Sequence, residues 1–159
     1  MKSYIFQISK EPIRKDTVPI SLRRYDCMVG TIADRVDRIR REDQYYAGLN
    51  SLARHPGIKL DPKHNTITLT SRKEYFERKY QKFKNSLMNL ERLPLESFCR
   101  DPLNLDLYKL MDAHNNKCGV YLDDNDESNG LLTADNWARR CEENIPYYIG
   151  TAFVYHIEE

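Results

Sequence analysis

Six glycines in 159 residues leave little material for a nucleotide cradle, and no glycine-rich phosphate loop occurs. A Gly-x-Ser-x-Gly elbow and a His-Glu-x-x-His helix are also missing, which removes the commonest hydrolase and zinc-protease signatures. No run of about 18 apolar residues is present, so no membrane-crossing helix is predicted. The opening MKSYIFQISKEPI has a short alternating apolar segment and no small-residue cleavage site, and the expectation is a soluble, cytoplasmic protein. Four cysteines, at 27, 99, 118 and 141, lie far apart with no Cys-x-x-Cys pair, which reads as reduced thiols rather than a disulfide framework. His114 and Cys118 make half a zinc site with no second pair nearby, and His55, His64 and His156 are scattered. No metal, no cofactor and no catalytic residue is assigned.

What is there suits a packed core. At 18.8 kDa the chain is long enough to bury about two thirds of its unfolded surface. Eleven tyrosines, five phenylalanines and one tryptophan argue against disorder, and tyrosine serves core edges and interfaces alike. The net charge of +1 conceals a division. Residues 1–92 hold 20 Lys/Arg against 11 Asp/Glu, or +9, and residues 93–159 hold 5 against 13, or −8. Such a division either neutralises itself on folding or orients a charged partner.

Tyr4, Phe6 and Ile8 alternate with polar residues and predict a strand over about 3–9. Pro12 and Pro19 mark a loop over 11–24. Met28, Val29, Ile32, Ala33, Val36 and Ile39 recur at helical spacing and predict a first helix. Within it the alternating charges of residues 34–43 read as a solvated face. Tyr45, Tyr46, Leu49, Leu52 and Ala53 extend the pattern as a second, with Glu42 and Asp43 placed to complement the dipole of a fresh N-terminus. Residues 58–60 and 66–70, joined by Asp61-Pro62-Lys63-His64-Asn65, predict a β-hairpin. Asp101-Pro102 starts a further helix through Leu103, Leu107, Leu110 and Met111. Residues 119–122 read as a short strand, Thr133 as the cap of a helix through Trp137, and residues 146–157 as a central strand apolar on both faces and neighbouring the first. The sum is one α+β domain over 1–159. Its small, mostly antiparallel sheet of about five strands carries packed helices in the order β-α-α-β-β-α-α-β-α-β.

Two segments stand out as contact regions. Residues 71–93 open on the capping box Ser71-Arg72-Lys73-Glu74 and form a long basic amphipathic helix that stops before Pro94. Phe76, Tyr80, Phe83, Leu87 and Leu90 fall within about 80° of arc at 100° per residue, a seam expected to be core or interface. Tyr75 lies off that seam and is expected at the surface. Arg72, Lys73, Arg78, Lys79, Lys82 and Lys84 supply the charge that a phosphate backbone or an acidic protein patch would meet. The acidic loop 123–130 carries Asp123, Asp124, Asp126 and Glu127. Its calcium reading fails because the twelfth ligand position falls on Asn136, where a bidentate Glu is required. The segment therefore reads as a solvated loop, and as a contact region it suits an acidic docking patch rather than a metal site.

These features lead to a non-enzymatic interaction protein that binds and regulates or inhibits a macromolecular partner, most simply a protein. Compact, motif-free, tyrosine-rich chains with divided charge resemble the inhibitors that phages and mobile elements encode, including those of nucleic-acid-targeting defence proteins. The alternatives are a nucleic-acid-binding regulator using the helix 71–93 and a small enzyme with a spatially assembled Cys, His or Tyr site. The seam leaves open a homodimer.

Overall fold

The computed structural model describes residues 2–13, 35–100, 103–114, 119–124 and 131–156. Its strands are β1 (Lys2–Ser9), β2 (Arg35–Arg38), β3 (Ile58–Asp61), β4 (Thr66–Leu69), β5 (Val120–Asp124), β6 (Leu131–Thr133) and β7 (Pro146–His156). Its helices are α1 (Glu42–Ala53), α2 (Arg72–Glu91), α3 (Leu95–Cys99), α4 (Leu103–His114) and α5 (Ala134–Arg140). The α+β class holds. The described residues form two compact units, one made of residues 1–72 with 118–159 and the other of residues 73–117.

The first unit is built on one sheet in the order β3-β4-β7-β1-β5-β6, with β2 also on β7. Seven strands replace the five expected. The sheet is mixed, because β1 runs antiparallel to β7 and parallel to β5. The long β7 is central, as its two-sided apolar pattern predicts, and it neighbours β1. One edge of β7 takes β1 along nearly its whole length. The other takes β4 at Pro146–Tyr148 and β2 at Phe153–His156. Between Phe6 and Ile8 the register slips, so that two steps of β1 match three of β7, from Ala152 to Ile149. Gln7 answers the irregularity, its side-chain oxygen accepting the Thr151 amide at 3.3 Å.

The helix expected over residues 28–39 is overturned where it can be seen. Residues 28–34 lie outside the described residues, and Arg35–Arg38 is a strand pairing Val36 with Tyr155 and Arg38 with Phe153. The reason is the length of β7: its last residues carry backbone groups that need a second partner, and Arg-Val-Asp-Arg can supply one. Local spacing of Val36 and Ile39 cannot anticipate that demand.

Other expectations hold. The hairpin β3–β4 pairs Ile58 with Leu69 and Leu60 with Ile67. Its turn is tied by Asp61, whose carboxylate accepts the amides of Lys63 and His64 at 3.0 and 3.3 Å. Helix α1 carries Glu42 and Asp43 in its first turn. It lies so near β1 that a Cβ on Gly48 would meet Phe6 Cζ at 2.8 Å and Tyr4 Cδ1 at 2.9 Å. Thr133 caps α5, its hydroxyl accepting the Asn136 amide at 3.2 Å. Trp137 of α5 meets the Tyr147 ring edge-on at 5.7 Å, and both are buried. The core gathers Ile5, Phe6, Ile8, Leu49, Leu52, Ile67, Leu69, Leu122, Ile149 and Phe153 around them.

The second unit holds α2 beyond Arg72, with α3 and α4. Helix α2 ends at Glu91, before Pro94 as expected. Within this unit the Phe83 and His114 rings lie 6.3 Å apart.

Candidate functional site

The inward side of α2 differs from the expected seam. Tyr80 is 60% exposed and Leu87 is exposed, while Phe76, Phe83 and Leu90 are only half-covered. Tyr75, expected at the surface, is 1% exposed; its ring meets Phe76 edge-on at 4.8 Å, with Lys79 Nζ at 5.3 Å from its centre. The covered residues are Tyr75, Phe76, Lys79, Phe83, Ser86, Leu90 and Leu93, a stripe turned by about half a residue step from the expected one. The spacing was helical in both cases. Which side turned inward was a choice between adjacent stripes with similar apolar content.

The cations of α2 divide. Lys73, Arg78, Lys82 and Lys84 are exposed, and Lys84 Nζ lies 6.0 Å from the Tyr80 ring. Arg72 is used inward instead. Its Nε donates to the Ala138 carbonyl at 2.8 Å and its Nη2 to the Cys141 carbonyl at 2.5 Å, both at the end of α5. Glu143 accepts the Arg72 amide at 2.7 Å, answering one of the open N–H groups at the start of α2.

The first two residues of the expected acidic loop are strand. Asp123 and Asp124 belong to β5, 0% and 4% exposed, beside Gln7 and Ile8 of β1. They are therefore not surface docking residues; pairing with β1 draws the strand onward past Leu122. Asp126 and Glu127 lie outside the described residues. Among the described residues no group of three His, Cys, Asp or Glu side chains could hold a metal ion. Among the described residues no helix is long and apolar enough to cross a membrane.

The second unit carries an apolar surface that the sequence seam only partly suggested. Leu95 is 76% exposed and Phe98 63%, with Met88, Leu107, Tyr108 and Met111 exposed beside Tyr80 and Leu87. Eight of the nine large hydrophobic side chains exposed among the described residues lie here, the ninth being Ile145. The helical spacing of Leu107 and Met111 predicts a buried stripe, yet both are exposed. A helix shows its apolar stripe in sequence whether its own chain or another molecule covers it.

The first unit holds clefts that sequence reasoning passed over. Between β4 and β2 no strand among the described residues pairs with β7 from Ile149 to Ala152, and a cleft of about 310 Å³ lies there. Its backbone groups are answered piecemeal. Asn65 bonds Ile149, the Ile39 amide donates to the Ala152 carbonyl at 2.9 Å, and the Tyr45 hydroxyl lies 3.4 Å from the Gly150 carbonyl. Burial pushes the Tyr45 hydroxyl above its ordinary value, so it stays a neutral donor. Arg38, Arg40 and Arg41 line this cleft and also an adjoining one of about 690 Å³ that reaches Tyr4, Asp37 and His156. There Asp37 Oδ2 lies 2.8 Å from Arg35 Nε and 3.1 Å from His156 Nε2. Arg41 holds Asp43 in a fork at 3.0 and 2.6 Å, and this pairing keeps the exposed Asp43 carboxyl below its ordinary value. The sequence signal was the run Arg35 to Arg41, whose charges cancel in a helix but separate on a strand.

No family model matches this chain, and no curated protein and no solved structure matches it either.

Proposed function

We propose that this chain is a non-enzymatic interaction protein that binds and regulates or inhibits a protein partner through residues 73–117. The supporting observation is the concentration of exposed Leu, Met, Phe and Tyr side chains in that unit. Exposed apolar side chains concentrated in one unit favour an interaction site, and Met and aromatic residues are enriched in interface cores. Within this unit helix α2 adds a net positive charge, with five Lys/Arg against three Asp/Glu. The fitting partner therefore presents an apolar patch rimmed by carboxylates. The finer reading, an inhibitor of a nucleic-acid-targeting defence protein, draws on the class-level resemblance of a motif-free, tyrosine-rich chain.

Affinity capture with the full chain tests this, beside a Leu95→Ser/Phe98→Ser variant and a Tyr80→Ser/Leu87→Ser variant. A specific protein retained by the wild type and lost by both, at unchanged melting temperature, supports the reading. Binding to single-stranded DNA or RNA that weakens with salt and disappears on Arg78→Glu/Lys82→Glu, with no protein captured, favours the nucleic-acid alternative instead. Self-association abolished by the same serine variants would make a second copy the partner. Capture that is empty, with no self-association, overturns the proposal.

A further inference from the structure

The cleft between β4 and β2 is a built cavity with a surplus of positive charge. Of the carboxylates along this edge, Asp37 has Arg35 and Asp43 has Arg41. Arg38 and Arg40 have no ion pair among the described residues, and both line the two adjoining clefts. Among the described residues Glu42 is the one carboxylate on the smaller cleft, against three arginines. Arg38 and Arg40 are exposed on either side of the buried Ile39, whose amide carries the ladder to β7 onward. In extended chain, residues two apart project the same way with Cα atoms about 6.6 Å apart, a spacing that lets two guanidinium groups close on one phosphate.

Tyr45 and Tyr46 also line this cleft. Tyr46 meets Tyr45 edge-on at 5.6 Å, and Tyr45 in turn meets the buried Phe6 edge-on at 5.6 Å. Tyr45 is tied again by Asn65 Oδ1 at 3.4 Å. Tyr46 is half-buried beside this anchored ring, so it has less freedom to lose when a base packs against it.

From these facts we infer that the cleft binds a nucleoside phosphate, its phosphate between Arg38 and Arg40 and its base against Tyr46. The cavity of about 310 Å³ takes one nucleotide unit. Free mononucleotides and single-stranded nucleic acid share this chemistry.

Titrating the full chain with 5′-AMP, adenosine and a short single-stranded DNA decides it. Binding of 5′-AMP or of the DNA, but not of adenosine, is expected, and Arg38→Ala/Arg40→Ala should weaken it by about tenfold or more. Arg78→Ala/Lys82→Ala should leave it unchanged, which separates this cleft from α2. DNA binding alone assigns a strand as the ligand, and 5′-AMP binding alone a free nucleotide. Should the double variant fail to fold, the wild-type Arg38 and Arg40 Nε–H resonances are the readout, and they must shift with added 5′-AMP or DNA. No binding by the wild type, binding indifferent to the arginine substitutions, or shifts confined to α2 overturn the inference.

Discussion

Asn65 holds Ile149 twice: its carbonyl accepts the Ile149 amide at 2.9 Å, and its side-chain amide donates to the Ile149 carbonyl at 2.6 Å. Asn65 thereby acts as a one-residue strand beside β7, next to where β4 stops pairing. It does so with φ at 52°, a conformation that asparagine adopts more readily than most residues. Asn65→Gly keeps the backbone and loses the side-chain bond, so it should cost about 1–2 kcal/mol in chemical denaturation. Asn65→Ala adds backbone strain and should cost more than Asn65→Gly; the reverse order would show that the left-handed backbone imposes no strain at this position.

Gly48 is a matter of space, since α1 meets β1 through ring atoms that cannot retreat as a flexible side chain would. Gly48→Ala should destabilise by about 1–3 kcal/mol despite the helix propensity gained, read from thermal melts. A stabilised Gly48→Ala would mean that Phe6 and Tyr4 repack freely.

Arg72 joins the start of α2 to the end of α5, using two guanidinium nitrogens on two carbonyls. Arg72→Lys supplies one compact charge where a planar fork is needed, and should lower stability by about 1–3 kcal/mol. Lys73→Ala, one residue on and exposed, should leave the melt within about 0.5 kcal/mol of wild type.

Cys141 is buried, and desolvation pushes its thiol up to about 11, with the nearby Arg72 charge acting in the opposite direction. A raised value in the folded state stabilises while the thiol is protonated, below its ordinary 9.0, and that stability is lost as pH rises through about 11. At neutral pH, peptide-resolved alkylation should label the exposed Cys99 well before Cys141. Equal rates would contradict the burial.

Asp61 gives the opposite pH dependence. Its bond to His64 Nδ1 at 2.7 Å is the largest influence holding its carboxyl below the ordinary value of 3.8. The hairpin turn is therefore supported above that value and loses support as pH falls through the lowered one. Asp61→Asn should lower stability at neutral pH and lessen its decline on acidification, measured as melting temperature against pH.

Much of the first unit is legible in the sequence. Strands β1, β3, β4 and β7, the acidic first turn of α1 and the Thr133 cap of α5 arise from alternation, turn chemistry and side chains acting within a few residues. The β2 strand is different, because Arg35 to Arg38 becomes extended only when β7 offers it backbone groups to pair. The same holds for Asp123 and Asp124, which are drawn inside by the parallel pairing with β1. For α2, the sequence by itself determined a basic amphipathic helix from Ser71 to about Leu93. Which side is covered was decided by tertiary structure, since Tyr75 and Tyr80 are alike in chemistry and differ only in what surrounds them. Likewise the arginine cleft exists because two strands share one edge of β7 and leave a gap between them, and no local pattern encodes a gap between residues 40 and 150.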